Sequence, residues 1–124
     1  MELNEFRHEM ETYWKSVNDE AVLFKDQSIA RNRLLTLYDR FDARERRWAD
    51  QVLSEWVLSE KQAIRFDAMV LIEDRGIVGT LPALDQLTIR LASSHTPGAP
   101  DELPKVNRLL KRLSAFASRT EVAR

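Results

Sequence analysis

The chain contains no cysteine, which excludes a disulfide framework, a thiolate nucleophile and any cysteine-ligated zinc or iron–sulfur centre. Its 124 residues include only three glycines and four prolines, too few turn-formers for the many short strands of a sandwich or barrel. Alternating β-branched runs are scarce as well. No apolar run approaches the length of a bilayer span. The opening Met1-Glu2-Leu3-Asn4-Glu5 is acidic and lacks the basic start and apolar stretch of a secretory signal. Neither sign of charge prevails: the net charge is −1 and the isoelectric point about 6.1, which weakens any case for a general polyanion binder. These absences lead to the expectation of an all-α, cytoplasmic protein, with residues 1–124 as a single helical domain large enough to bury a core.

What is present is an alternation of charge blocks and a series of helical stripes. Residues 1–26 are acidic, and 27–47 are basic through Arg31, Arg33, Arg40, Arg44, Arg46 and Arg47. The stretch 48–100 is acidic again, and Lys105, Arg108, Lys111, Arg112, Arg119 and Arg124 make the end basic. Leu3, Phe6, Met10, Tyr13 and Val17 recur at three- and four-residue steps, which predicts a first helix over Glu2–Val17 with Trp14 beside the stripe. Asn18-Asp19 interrupts that pattern, and Ala21-Val22-Leu23-Phe24 fits either a connector or a last helical turn. Asp26 or Ser28 can cap a second helix that buries Ile29, Ala30, Leu34, Leu37, Tyr38 and Phe41. Asp42 and Glu45 have capping-box spacing and start a third helix, on which Trp48, Ala49, Val52, Leu53, Trp56 and Val57 form the buried stripe.

The most apolar window follows. Ile64, Phe66, Ala68, Met69, Val70, Leu71 and Ile72 leave a helix little solvent face, so a central helix with Ser59 as its cap is expected to lie at the middle of the core. It should end at Arg75-Gly76, where glycine can take the left-handed conformation. Thr80 and Pro82 mark the next start, with Leu81, Leu84, Leu87 and Leu91 inward. Residues 93–100 have loop composition. Asp101 is the expected cap of the last helix, with Pro104 in its first turn and Val106, Leu109, Leu110, Leu113 and Phe116 inward. The organisation expected is an N-terminal helical cap over 1–41, paired helices over 42–118 and a frayed tail over 119–124.

In the central stretch, Ile64-Arg65 with Ala68 and Leu71, then Leu81-Pro82-Ala83-Leu84 with Leu87, resembles the HEAT class of paired-helix repeat and its armadillo-like relatives. The likeness spans about one and a half units of such an array. It implies about six helices in a short α–α superhelix, with a compact helical bundle as the alternative, and a scaffold that binds macromolecules along exposed helix faces. It also implies a structural role for Arg65, pairing with an acid such as Asp67 or Asp85.

Chemistry-bearing patterns are few. His8-Glu9 is not followed by a second histidine at zincin spacing. Glu5, His8, Glu9 and Thr12 share a helix face but have no further ligand nearby to complete a metal set. Gly76-Ile77-Val78-Gly79 lacks the lysine and hydroxyl of a phosphate loop, and Ser93-Ser94-His95 is mere adjacency. No catalytic residue, metal or cofactor is expected. Arg40, Arg44 and Arg47, and separately Lys105, Arg108 and Arg112, are the candidate interaction surface. The function expected is a non-enzymatic module that binds another protein, with an inhibitor or immunity-type protein as one form of it and no membrane partner. A homodimer through the first helix requires Leu3, Phe6 and Met10 to be exposed. The alternatives are a nucleic-acid-binding adaptor using the arginine clusters, which the acidic isoelectric point weighs against, and a small enzyme whose carboxylate site the sequence does not display.

Overall fold

The computed structural model describes the backbone of residues 1–122 and the side chains of residues 1–119. Within them the chain is all-α, with no strand. Its helices are α1 (Leu3–Phe24), α2 (Gln27–Arg40), α3 (Ala43–Val57), α4 (Gln62–Arg75), α5 (Leu81–Ala92) and α6 (Ala99–Val122), with a 3₁₀ turn at Val78–Thr80 before α5. The chain forms two compact units, Met1–Val52 and the part from Leu53 onward, divided within α3. No helix among the described residues is long and apolar enough to cross a membrane.

In the first unit, α1 packs against α2. Its buried side chains are Phe6, Met10, Trp14, Val17 and Ala21, so Trp14 takes the inward position expected of Tyr13, which is only half-buried. The helix also runs through Asn18-Asp19. Each of these residues costs a few tenths of a kcal/mol in a helix, which burial of Val17 and Ala21 on either side outweighs. Val22, Leu23 and Phe24 form the last turn and remain exposed. Phe6 and Met10 are buried and Leu3 half-buried, so the condition for a dimer through this stripe is not met.

The capping chemistry of this unit follows the sequence closely. Asp26 Oδ1 accepts from the Ser28 amide at 3.0 Å and from its hydroxyl at 2.6 Å, and these bonds lower the Asp26 carboxyl below its ordinary value. At the start of α3 the box is reciprocal: the Glu45 amide donates to Asp42 Oδ1 at 2.8 Å and the Asp42 amide to Glu45 Oε1 at 3.0 Å. Phe41 ends α2 as its C-cap and is half-buried, its ring centroid 5.0 Å from that of Phe6. Glu20 holds Arg33 through two bonds of 2.6 and 2.7 Å, joining α1 to α2.

In the second unit, α4 buries Ile64, Asp67, Ala68, Met69, Leu71 and Ile72, while Phe66 and Val70 are only half-buried. Each fully buried aliphatic side chain contributes about 1.5–3 kcal/mol. α5 packs along α6, and α4 also meets α6. Leu84 and Leu87 of α5 and Val106 of α6 are wholly buried.

Two helix starts differ from expectation, and a third is capped without a side-chain bond. α4 begins after Lys61, and the Ser59 hydroxyl accepts from the Lys61 amide at 3.2 Å in the turn before it rather than capping the helix. The Thr80 hydroxyl donates to the Ile77 carbonyl at 2.8 Å, closing the 3₁₀ turn, so it caps α5 by position only. α6 starts at Ala99, which moves Pro104 past the first turn and leaves its missing amide hydrogen as a gap in the helix ladder. The tail expected over 119–124 lies outside the described residues at 123–124, and α6 continues to Val122.

α1 closes on Lys25 in the left-handed region, φ 53°, with the Asp26 amide reaching back to the Ala21 carbonyl at 2.9 Å. A β-carbon in that conformation costs roughly 1–2 kcal/mol. Lys25→Gly is therefore expected to raise stability by about 0.5–1 kcal/mol in urea unfolding, part of the relief being offset by the entropy of a freer unfolded chain. A loss of stability would show that the lysine side chain contributes more than the strain it carries.

Candidate functional site

Two concave sites lie in the second unit. The first, about 460 Å³, opens over the turn before α4 and the start of α6. At its floor Arg65 Nε donates to Glu102 Oε2 at 2.7 Å and Nη2 to Glu102 Oε1 at 2.6 Å. Nη1 donates to the carbonyls of Ser59 and Glu60 at 2.9 and 3.0 Å. The Glu102 side chain is buried, at 1% exposure, and that of Arg65 is largely covered, at 11%. Thus Arg65 is structural, and the carboxylate on it is Glu102 from α6 rather than the expected Asp67 or Asp85. Arg90 reaches the Leu58 and Ser59 carbonyls at 2.7 and 3.2 Å, so the end of the chain segment leaving α3 is held by two arginines.

That cleft is occupied by its own bonds. Glu102 also accepts from Gln62 Nε2 at 3.4 Å. The Ser94 hydroxyl donates to Thr96 Oγ1 at 2.9 Å and accepts from the Thr96 amide at 3.1 Å. The Ser93 hydroxyl faces the carbonyls of Ile89 and Arg90, each at 3.2 Å. These groups hold a loop and a helix start in place; they do not converge on a reacting centre.

The second site is a groove of about 540 Å³ where the last turn of α4 lies beside α6. Leu109 and Leu113 back it but are buried, so its exposed apolar side chains are Ala115 and Phe116. Phe116, expected to face inward, is 46% exposed and its ring comes within 3.2 Å of where a β-carbon on Gly76 would sit. Gly76 has φ 61°, so it both closes α4 and leaves room for that ring. Around the groove stand Lys111, Arg112 and Arg119 from α6, and Glu73, Asp74 and Arg75 from α4. Arg112 pairs with Glu73 and Arg75 lies 4.0 Å from Asp74.

The expected interaction residues divide between the units. Lys105, Arg108 and Arg112 are exposed on α6, yet the Lys105 ammonium sits 5.4 Å from the centre of the Phe66 ring and Arg112 is engaged by Glu73. Only Arg112 of these three lines the groove. Arg40 at the end of α2 and Arg44 and Arg47 on α3 are exposed in the first unit, Arg44 lying 4.6 Å from the Trp48 ring centre. Such contacts orient a cation without removing it from water. Phe116, Lys111 and Arg119 are among the groove residues absent from the expected surface. Phe116 continues the apolar stripe of α6, which by itself predicts an inward position. Lys111 is legible only as part of the basic end of the chain, and the overlap of α4's end with α6 that brings these groups together has no local signal.

Beside the first basic cluster, the Tyr38 hydroxyl donates to Asp50 Oδ1 at 3.1 Å. Burial, with the neighbouring Asp50 charge, pushes the Tyr38 hydroxyl up to about 12. Burial also raises the Asp50 carboxyl, partly offset by the Tyr38 bond and by Arg46. Among the described residues, no group of three or more His, Asp or Glu side chains could hold a metal ion.

No family model, no curated protein and no solved structure matches the chain.

Two outcomes follow from this geometry. Removing one member of a buried ion pair leaves the other charge uncompensated and costs about 3–5 kcal/mol. Arg65→Met and Glu102→Leu should each destabilise by that order in urea unfolding, and the double variant should cost less than either; additive losses would contradict a mutually dependent pair. For Asp50, a raised carboxyl means that the folded state favours the proton. Its contribution is greatest below the ordinary value of 3.8 and is lost as pH rises through the raised value. Asp50→Asn keeps an acceptor for Tyr38, so it should be the more stable protein at pH 7, with the difference vanishing under acid conditions. Thermal unfolding across pH checks this, and a less stable variant at neutral pH would overturn it.

Proposed function

We propose that the protein is a non-enzymatic helical interaction module that binds another protein through the groove between the end of α4 and α6. The observation that carries this reading is Phe116: a large aromatic side chain half in water, beside Leu109 and Leu113, in a concave site rimmed by charge. Aromatic anchors in a pocket, surrounded by a polar rim, are where binding energy concentrates in protein interfaces. The HEAT-like reading belongs to the same proposal. It is supported by the packing of α5 along α6, by Pro82 at the start of α5 and by the structural use of Arg65. An inhibitor or immunity-type protein is the form of module that a small helical scaffold with one such groove suits.

A catalytic reading has less support, because the carboxylates that line the two concave sites with close partners face arginines: Glu102 on Arg65, Glu73 on Arg112 and Asp74 near Arg75. Nucleic-acid binding through Lys105, Arg108 and Arg112 has less support, because Arg112 is paired with Glu73 and the isoelectric point is acidic.

Affinity capture from the native host with the parent and with Phe116→Ser tests the proposal. A discrete protein retained by the parent, lost with Phe116→Ser and kept with the exposed-site control Gln86→Ala, is the expected result. Retention that ignores Phe116, or no specific protein at all, would sink this groove as the binding site.

A further inference from the structure

Resting on the interaction reading above, we infer that the groove's occupant is an acidic amphipathic helix, whose apolar stripe lies on Phe116 and Ala115 and whose carboxylates meet Lys111 and Arg119. The argument is one of charge complementarity. The two carboxylates on the α4 side already have arginine partners, Glu73 with Arg112 and Asp74 with Arg75. Among the described residues, Lys111 and Arg119 add positive charge to that rim without an equal number of acids, and both are exposed. The described groove therefore presents an exposed aromatic ring with a cationic excess.

The spacing on α6 sets the geometry of the partner. Phe116 and Arg119 stand three residues apart and share a face of α6, and Lys111 lines the same groove. A partner helix laid along this face meets it with an apolar residue between acids at three- or four-residue steps, the usual way in which an amphipathic helix enters a groove. Phosphate-rich ligands fit less well. Glu73 and Asp74 sit on the rim where a nucleic-acid backbone would pass, and among the described residues Phe116 is the single aromatic side chain lining the groove rather than one of a series of stacking platforms.

The test uses the full chain and three labelled probes in fluorescence anisotropy: a designed helical peptide of about four turns with a leucine stripe and glutamate flanks, the same peptide with lysine in place of each glutamate, and single-stranded oligo-dT. The glutamate peptide should bind, and the other two should bind at least about tenfold more weakly, the difference shrinking with salt. Lys111→Glu with Arg119→Glu should reverse the preference between the two peptides. Phe116→Ser should weaken the glutamate peptide while leaving the charge of the groove unchanged. All these positions are substantially exposed, and circular dichroism with a urea midpoint establishes that each variant folds.

Binding of the lysine peptide in preference, with loss by Phe116→Ser, would overturn the acidic assignment while leaving the groove an interaction site. Tighter binding of oligo-dT, or glutamate-peptide affinity unchanged by the double charge reversal, would overturn it as well. Failure of every peptide would end the helical-partner inference, whereas the broader reading stands or falls by the capture experiment.

Discussion

A single guanidinium holds together the part of the molecule that carries both concave sites. Arg65 sits in the first turn of α4 and sends its donors in two directions: to the Ser59 and Glu60 carbonyls just before the helix, and to both oxygens of Glu102 at the start of α6. The planar fork of arginine can satisfy these groups at once, and a lysine could not. Burying two opposite charges is costly unless nearly every donor and acceptor is used; four of the guanidinium's bonds, with Gln62 as a further donor to Glu102, meet that demand. Because Glu102 is 37 residues away in the chain, the pair also fixes where α6 begins relative to α4.

That placement has consequences along the whole of α6. With its start tied to α4, the same helix passes the far end of α4 near Gly76, where the chain can turn through a left-handed residue and where the Phe116 ring finds space. One end of the α4–α6 pairing is thus closed by charge and hydrogen bonds, and the other is left as a groove with an aromatic side chain half in water. The two concave sites differ for this reason. At the first the polar groups answer one another, and at the second the apolar surface and part of the positive charge still face solvent.

Much of the fold was legible in local pattern. The stripes of α1, α2 and α3, the box of Asp42 and Glu45, the cap at Asp26, the glycine at the end of α4 and the proline at the start of α5 all act within one or two helical turns. Misreadings arose where a local signal competed with packing. Asn18-Asp19 resembled a break, yet α1 continues because Val17 and Ala21 are buried. Ser59 resembled a helix cap, yet the carbonyls of Ser59 and Glu60 are needed by Arg65, and the helix begins after Lys61. Phe116 followed the stripe of α6, but a stripe gives only the angular position of a side chain, not whether another element extends far enough to cover it. The candidate cations were half-legible for the same reason: their exposure could be read from helical spacing, while their partners, Glu73 for Arg112 and Phe66 for Lys105, come from another helix.

By itself the sequence determined the all-α fold class, the helices and the caps at Asp26, Asp42 and Gly76, since absence of cysteine, scarcity of turn-formers and periodicity near 3.6 are properties of the chain and act over a few residues. Only the tertiary structure decided which acid holds Arg65, which cations remain available and that Phe116 stands in a groove. Those outcomes depend on groups dozens of residues apart reaching within hydrogen-bond or van der Waals distance, and that proximity is created by packing α4 and α5 against α6.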